Sequence, residues 1–299
     1  MDRLAAMQTF VRVVEAGGFS AVARERNSAQ SAVSKQVAAL EGHLGTKLLI
    51  RTTRSLALTE DGERYFEATR RLLGEVAETE AQLRRGQQQL SGWMRVAAPA
   101  GFGLRVMLPH VNRFLADHPD VKIDFQVNDS FIDLIEQGID VAVRIGALAD
   151  SSLIARRVGS SRGVVVASKA YIDALPASQP LPLMPDELLL HPCIVYTASR
   201  TRNAWKLTGP DGATATVSVS GPLQTNNSEL ARASVLAGSG ISLVPTWMFK
   251  DDLASGDIPR LMPTWAGSAL PIHLVYAPHR QRSAKVQAFS EHMARVLAD

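Results

Sequence analysis

The feature that most constrains this chain is a helical pattern that starts at Glu60 and runs to residue 89. At 1.5 Å per residue such a helix is about 45 Å long, more than the 59 residues before it can cover. Tyr65, Thr69, Leu72, Val76, Thr79, Leu83 and Leu90 recur near a heptad register, flanked by Phe66 and Leu73, with charged residues on the other faces. Thr59 reads as the N-cap, and Glu60 and Asp61 sit at the positive end of the helix dipole. A stripe this long needs a partner. Pairing with a second copy is the economical reading, and packing against the chain's own C-terminal part is the alternative. The chain then divides into a small module (1–59), a linking helix (60–90) and a large domain (91–299), with a hinge between Gly86 and Gly92.

The small module carries the charge excess. Residues 1–59 hold eight Lys/Arg against four Asp/Glu, whereas 60–90 hold five against seven, so the basic module is N-terminal and nucleic acid is its natural polyanionic partner, solubility being the alternative. Leu4, Met7, Phe10, Val11 and Val14 fall at helical spacing before Gly17 and Gly18, predicting a helix over 3–16. A shorter helix follows, with Ser20 as its cap, Val22 and Ala23 inside it and Asn27 in a positive-φ turn. In the third helix Val33, Val37, Leu40 and Leu44 form the buried stripe, and Gln30, Ser31, Ser34 and Lys35 cluster on the opposite side of its first turns. Donors and acceptors there reach base edges in a major groove. After Gly45, Leu48 to Thr59 gives two short β-prone runs around a basic tip, a wing in which Arg51 and Arg54 face phosphate or minor groove. Solvated surface arginines are the alternative for both.

These segments, Phe10-Val11-Arg12-Val13-Val14-Glu15, Phe19-Ser20, Gln30 to Glu41, Leu44-Gly45, and Leu48 to Arg54 leading to Leu58-Thr59-Glu60-Asp61-Gly62, resemble the LysR-type transcriptional regulators in order and spacing. The resemblance implies an α+β chain with a winged helix-turn-helix, a linker helix that pairs two subunits, and a C-terminal two-lobed α/β domain similar to periplasmic solute-binding proteins. It also implies DNA contacts from Gln30, Ser31, Ser34, Lys35 and Arg54. The expected partners are operator DNA with an inverted repeat, a small-molecule effector, further copies of the chain as dimer or tetramer, and RNA polymerase. Arg26, Ser28 and Ala29 depart from the apolar, apolar and Ser/Thr residues usual in the family. A missing N-cap at Ala29 costs about 1 kcal/mol unless Ser28 or Asn27 replaces it, so a weakened turn is expected.

In the large domain, Met94–Ala98 reads as a strand, Pro99 to Gly103 as a turn, and the residues through Ala116 as a helix. Val121 to Val127 alternates as a strand, Phe131, Leu134 and Ile135 suggest a short helix, and Val141–Ile145 another strand. The chain then crosses at Leu153 to Val158 into a second set, with strands at Val164–Ala167, Cys193–Tyr196 and Ile241–Val244, a hairpin around Gly209–Gly212 and a helix near Ser228–Ala237. A strand over Ile272–Tyr276 and a last helix return to the first lobe. Two lobes follow, about 91–163 with 268–299, and about 164–267, with a cleft at strand C-termini and helix N-termini. Its candidate lining is Pro99, Ala100, Gly101, Phe102, Asn128, Asp129, Arg144, Gly146, Thr197, Ser199, Asn226 and Asn227. Exposed N–H groups at helix starts would suit a carboxylate effector. Loop or capping duty is the alternative, for Asn227 above all, and an ion pair for Arg144.

Other classes lack their constellations. Val106 stands at the third glycine of a dinucleotide fingerprint begun by Gly101 and Gly103, and the seven His form no metalloprotease or esterase motif, so no catalytic residue, metal or cofactor is expected. An exported solute-binding protein would leave the basic module unexplained. No apolar run spans a bilayer and Met1-Asp2-Arg3 opens no signal peptide, and one cysteine, Cys193, fits a reducing compartment. A cytoplasmic site is expected.

Overall fold

The computed structural model describes residues 1–51, 56–83, 90–130, 133–148, 151–199 and 201–298. The chain divides into two compact units, Met1–Gln88 and Gln89–Asp299.

In the first unit, α1 (Arg3–Glu15), α2 (Phe19–Glu25) and α3 (Gln30–Leu44) precede a two-stranded antiparallel sheet, β1 (Leu49–Arg51) and β2 (Leu56–Leu58), and α4 (Glu60–Leu83). Asp2 starts α1 by accepting the Ala5 N–H at 3.1 Å. The apolar periodicity closes one core in which Phe10, Val22, Val33, Val37 and Leu40 are almost wholly buried. Burial of a side chain the size of Phe10 contributes about 1.5–3 kcal/mol. Two details differ from the sequence reading. Ser20 caps nothing: the N-cap of α2 is Gly18, two residues earlier, because buried Phe19 holds its first turn. Leu44 is 37% exposed, since Gly45 turns into the left-handed region directly after it and ends the helix beyond the core.

The linking stripe also divides. Tyr65, Phe66 and Leu73 pack on the first unit's own core, with Phe10 meeting the Tyr65 and Phe66 rings at 5.8 and 6.4 Å, and Thr69 is buried. Leu72 and Val76, at 51% and 37% exposure, are what the described helix leaves uncovered. The start of α4 is fastened to the wing: Thr59 N–H donates to Leu48 O, Thr59 Oγ1 to Lys47 O, and Thr46 Oγ1 to Asp61 Oδ2. A Cβ at Gly62 would collide with the Leu48 carbonyl. The expected helix beyond Leu83 and most of the expected hinge fall at 84–89, outside the described residues.

The second unit runs β3 (Gly92–Ala98), α5 (Ala100–Phe102), a wide π-type turn (Gly103–Met107), α6 (Leu108–Asp117), β4 (Val121–Val127), β5 (Val141–Ile145), β6 (Ile154–Val166) and α7 (Lys169–Asp173). It continues with β7 (Val195–Tyr196), β8 (Ala204–Thr208), β9 (Thr214–Ser218), β10 (Gln224–Thr225), α8 (Ser228–Leu236), β11 (Ser242–Pro245) and α9 (Lys250–Ser255). It ends with β12 (Arg260–Leu261), β13 (Ala266–Gly267), β14 (Ala269–Tyr276) and α10 (Ala284–Val296). The main sheet has the order β11-β6-β14-β5-β3-β4, with β12 also on β6. β6 serves two neighbourhoods: residues 154–162 pair with β14, and residues 163–166 with β11 and β12. At the change of partners, Gly163 and Gly267 approach so closely that a Cβ on either would come within 3.0–3.3 Å of the other's Cα. A core of β3, β5, β14, α6 and α10 lies on one side of that point, and separate cores built on Val165 and Val166 lie on the other.

The expected turn at Pro99 to Gly103 is already helix: only Pro99 is extended, and Gly103 N–H donates to Pro99 O at 2.7 Å. The expected short helix at Phe131, Leu134 and Ile135 is a single turn in its described part. Asp133 Oδ1 accepts the Ile135 and Glu136 N–H groups, and Gly138 at φ 61° stops it; Phe131 lies outside the described residues.

Candidate functional site

On α3, Gln30, Ser31 and Lys35 are exposed and Ser34 is half-buried, while Val33, Val37 and Leu40 face the core. The helix starts on Ala29 with no side-chain cap, so neither Ser28 nor Asn27 makes good the missing group. The preceding turn is nonetheless closed. Asn27 takes φ 49°, and Ser28 N–H donates to Ala23 O at 2.9 Å. Arg26 Nη1 donates to Thr9 Oγ1 at 2.6 Å, and Thr9 Oγ1 to Gln36 Oε1 at 2.7 Å. Arg26 therefore ties all three helices at the place where an apolar residue would have packed. Arg51 is set in β1 by its backbone; its side chain, and Arg54 altogether, lie outside the described residues.

Buried Glu41 joins α3 to the wing, accepting from Leu48 N–H at 3.0 Å, Leu49 N–H at 3.2 Å and Lys47 Nζ at 2.7 Å. Burial alone would raise its pKa, but these three donors outweigh it and hold the carboxyl below its ordinary value.

In the second unit the predicted cleft residues divide sharply. Asp129 is central. Its Oδ1 accepts Ala100 N–H at 2.9 Å, and its Oδ2 accepts Ser228 N–H at 2.7 Å and Ser228 Oγ at 2.8 Å. Tyr196 lies close by: burial, followed by the Asp129 charge, pushes its phenol well above its ordinary range. Gly101 N–H donates to Ser228 Oγ at 2.9 Å, and a Cβ on Gly101 would come within 3.0 Å of Ser228 Oγ and Glu229 Oε1. Beside them Arg105 and Glu229 form a two-pronged ion pair at 3.0 and 2.6 Å.

The remaining candidates have structural duties or stand apart. Phe102 is 1% exposed and packs edge-on against Trp247 at 5.3 Å. Pro99 is the extended residue before α5. Asn128 closes a turn by accepting Ser130 N–H, Asn227 caps α8 by accepting Leu230 N–H, and Thr197 N–H continues the β7–β10 pairing to Thr225 O. Ser199 shares a hydrogen bond with Thr201, and Asn226 is exposed. Arg144 pairs in register with His273, and burial draws its pKa below the ordinary guanidinium value; Gly146, at φ 107°, donates to Pro271 O. Tyr196, Arg105, Glu229 and Trp247 were not anticipated. Nothing local marks them, since their partners lie far along the chain. Cys193 is buried, its thiol pushed up to about 12, and His191 bonds to Tyr171 at 2.8 Å.

Residues 4–63 match the bacterial regulatory helix-turn-helix protein, lysR family, and residues 87–298 match the LysR substrate binding domain. The chain belongs to the LysR family. It is a transcriptional regulator with a DNA-binding helix-turn-helix and an effector-binding domain. An HTH-type transcriptional repressor from Pseudomonas aeruginosa is 33% identical over 302 residues, covering 100% of this chain and 93% of its own. The HTH-type transcriptional activator AaeR of Escherichia coli is 32% identical over 287 residues, covering 96% and 91%. The solved structure of CrgA, a LysR-type regulator from Neisseria meningitidis, superposes with a TM-score of 0.64 at 30% identity, covering 99% of each chain. Among the described residues no helix is long and apolar enough to cross a membrane.

Proposed function

We propose that this LysR-type regulator reads inverted-repeat operator DNA as a dimer or dimer of dimers. Gln30, Ser31, Ser34 and Lys35 address base edges in the major groove, and Arg51 and Arg54 address the backbone or minor groove. The observation that carries this reading is the outward polar face of α3 above a complete core. Exposed Leu72 and Val76 on α4 support pairing of two copies through the linking helix. The protein works by binding equilibria rather than catalysis, in the cytoplasm, and meets RNA polymerase at promoters. A small molecule between the lobes changes the spacing or angle of the DNA-binding pairs, which requires that ligand and DNA prefer related states. A carboxylate effector, suggested by open helix starts, would meet N–H groups at Ala100 and Ser228 that Asp129 has already engaged.

The test is recovery and sequencing of genomic fragments bound by the purified chain at two salt concentrations. Enrichment of inverted repeats near promoters is expected. Ser34→Ala relaxes base preference, whereas Arg54→Ala weakens all sites alike and lowers the salt slope. Recovery of no preferred sequence, or equal loss on all sequences for both variants, overturns these roles.

A further inference from the structure

We propose that Asp129 is a clasp that holds the two lobes together, filling with the chain's own carboxylate the place where the lobes meet, so that a ligand regulates the protein by competing with it. The proposal rests on the reading of the interlobe cleft as the effector site and adds the contact that the effector must break.

Asp129 belongs to the loop after β4, in the lobe that contains α5, and one oxygen stays on that lobe through Ala100 N–H. The other oxygen reaches across to Ser228, 99 positions along the chain, and takes both its N–H and its hydroxyl. Tyr196, on the strand β7 that pairs with β10 just before α8, lies beside Ser228 and close to the carboxylate. Every group around the carboxylate is a donor, which suits a carboxylate and not an amide, because an amide has one acceptor oxygen and turns an NH₂ toward donors. Charge-assisted bonds of this kind are roughly twice as strong as neutral ones. Gly101 lets the two helix starts come this close, and the Arg105–Glu229 pair lies across the same seam. Among the described residues the lobes also meet where Phe102 packs on Trp247 and where Trp247 Nε1 donates to Ser161 Oγ at 3.1 Å, and they share the strand β6 and the backbone crossing at Gly163 and Gly267.

The experiment uses the full chain and follows amide hydrogen exchange at Ala100, Gly101 and Ser228 in the wild type, Asp129→Ala and Asp129→Asn. Sodium acetate is the probe, matched in ionic strength by sodium chloride. Loss of the clasp should speed exchange at these amides about tenfold, with exchange in the cores unchanged. Acetate should slow it again in Asp129→Ala, where the vacated place admits a free carboxylate. It should change little in the wild type, whose tethered carboxylate outcompetes so weak a free one, or in Asp129→Asn, whose amide fills the space. If Asp129→Ala does not fold, faster exchange in the isosteric Asp129→Asn decides in favour and unchanged exchange against. Wild-type rates in the variants, or acceleration in Asp129→Ala that acetate leaves untouched, overturn the clasp. Either result leaves the effector reading standing, since that reading falls separately, on operator binding indifferent to every cleft ligand.

Discussion

Two helix starts in this molecule are built on opposite plans. α3 begins on Ala29 with no side-chain acceptor, and its first turn shows Gln30, Ser31 and Lys35 to the outside. α8 begins on Asn227, whose Oδ1 takes Leu230 N–H, while Asp129, from far back in the chain, takes Ser228 N–H. The bare start keeps its polar groups available for an external surface, and the filled start uses them to hold the fold together. The proposed recognition face can therefore be read from a dozen neighbouring residues. A closed seam cannot, because its donors and acceptors come from three separated stretches.

The contrast can be broken most severely by attacking the core beneath the bare start. Phe10→Ala should remove about 3–5 kcal/mol from the first unit and leave the second unit's calorimetric transition in place; movement of both transitions would mean that the units do not melt independently. Glu41→Ala comes next, at about 1–3 kcal/mol, because it strands the buried Leu48 and Leu49 N–H groups. Glu41 also gives a pH signature. Its folded pKa is depressed, so its contribution is fully present above the unfolded value of about 4.3 and is lost as the pH falls through the folded value. Acid melting curves of the first unit should lose that component in the variant. A smaller effect, about 1 kcal/mol, is expected from Asn227→Ala in the second unit, measured by urea unfolding. Smallest is Ala29→Ser, which supplies the missing cap and should stabilise the first unit by about 0.5–1 kcal/mol. No gain there would show that the backbone at Ala29 cannot use a cap.

The first unit was legible in the sequence nearly to the residue, since its helices are amphipathic and its stops are Gly17, Asn27 and Gly45. Where the reading missed, the cause was tertiary. Arg26 looked like a fault in the turn and proves to be a tie to Thr9. Tyr65 and Thr69 looked like part of a seam for a second chain and lie against their own domain. In the second unit the strands and lobes followed from alternation, and Asp129 was named among the cleft residues. Its partner Ser228 was legible only as a helix start, and Tyr196 and the neighbouring Arg105–Glu229 pair carry no local signal, because each acquires its meaning only from a residue brought to it by the fold.

The fastening of α4 to the wing has a mechanical consequence. With Thr59 bonded to Leu48 and Lys47, Asp61 held by Thr46, and no room for a side chain at Gly62, the first turn of α4 has no slack against the strand beside it. A twist applied along α4 therefore passes through these bonds to the base of the wing, so the start of the helix and β1 turn together, as a crank turns its shaft.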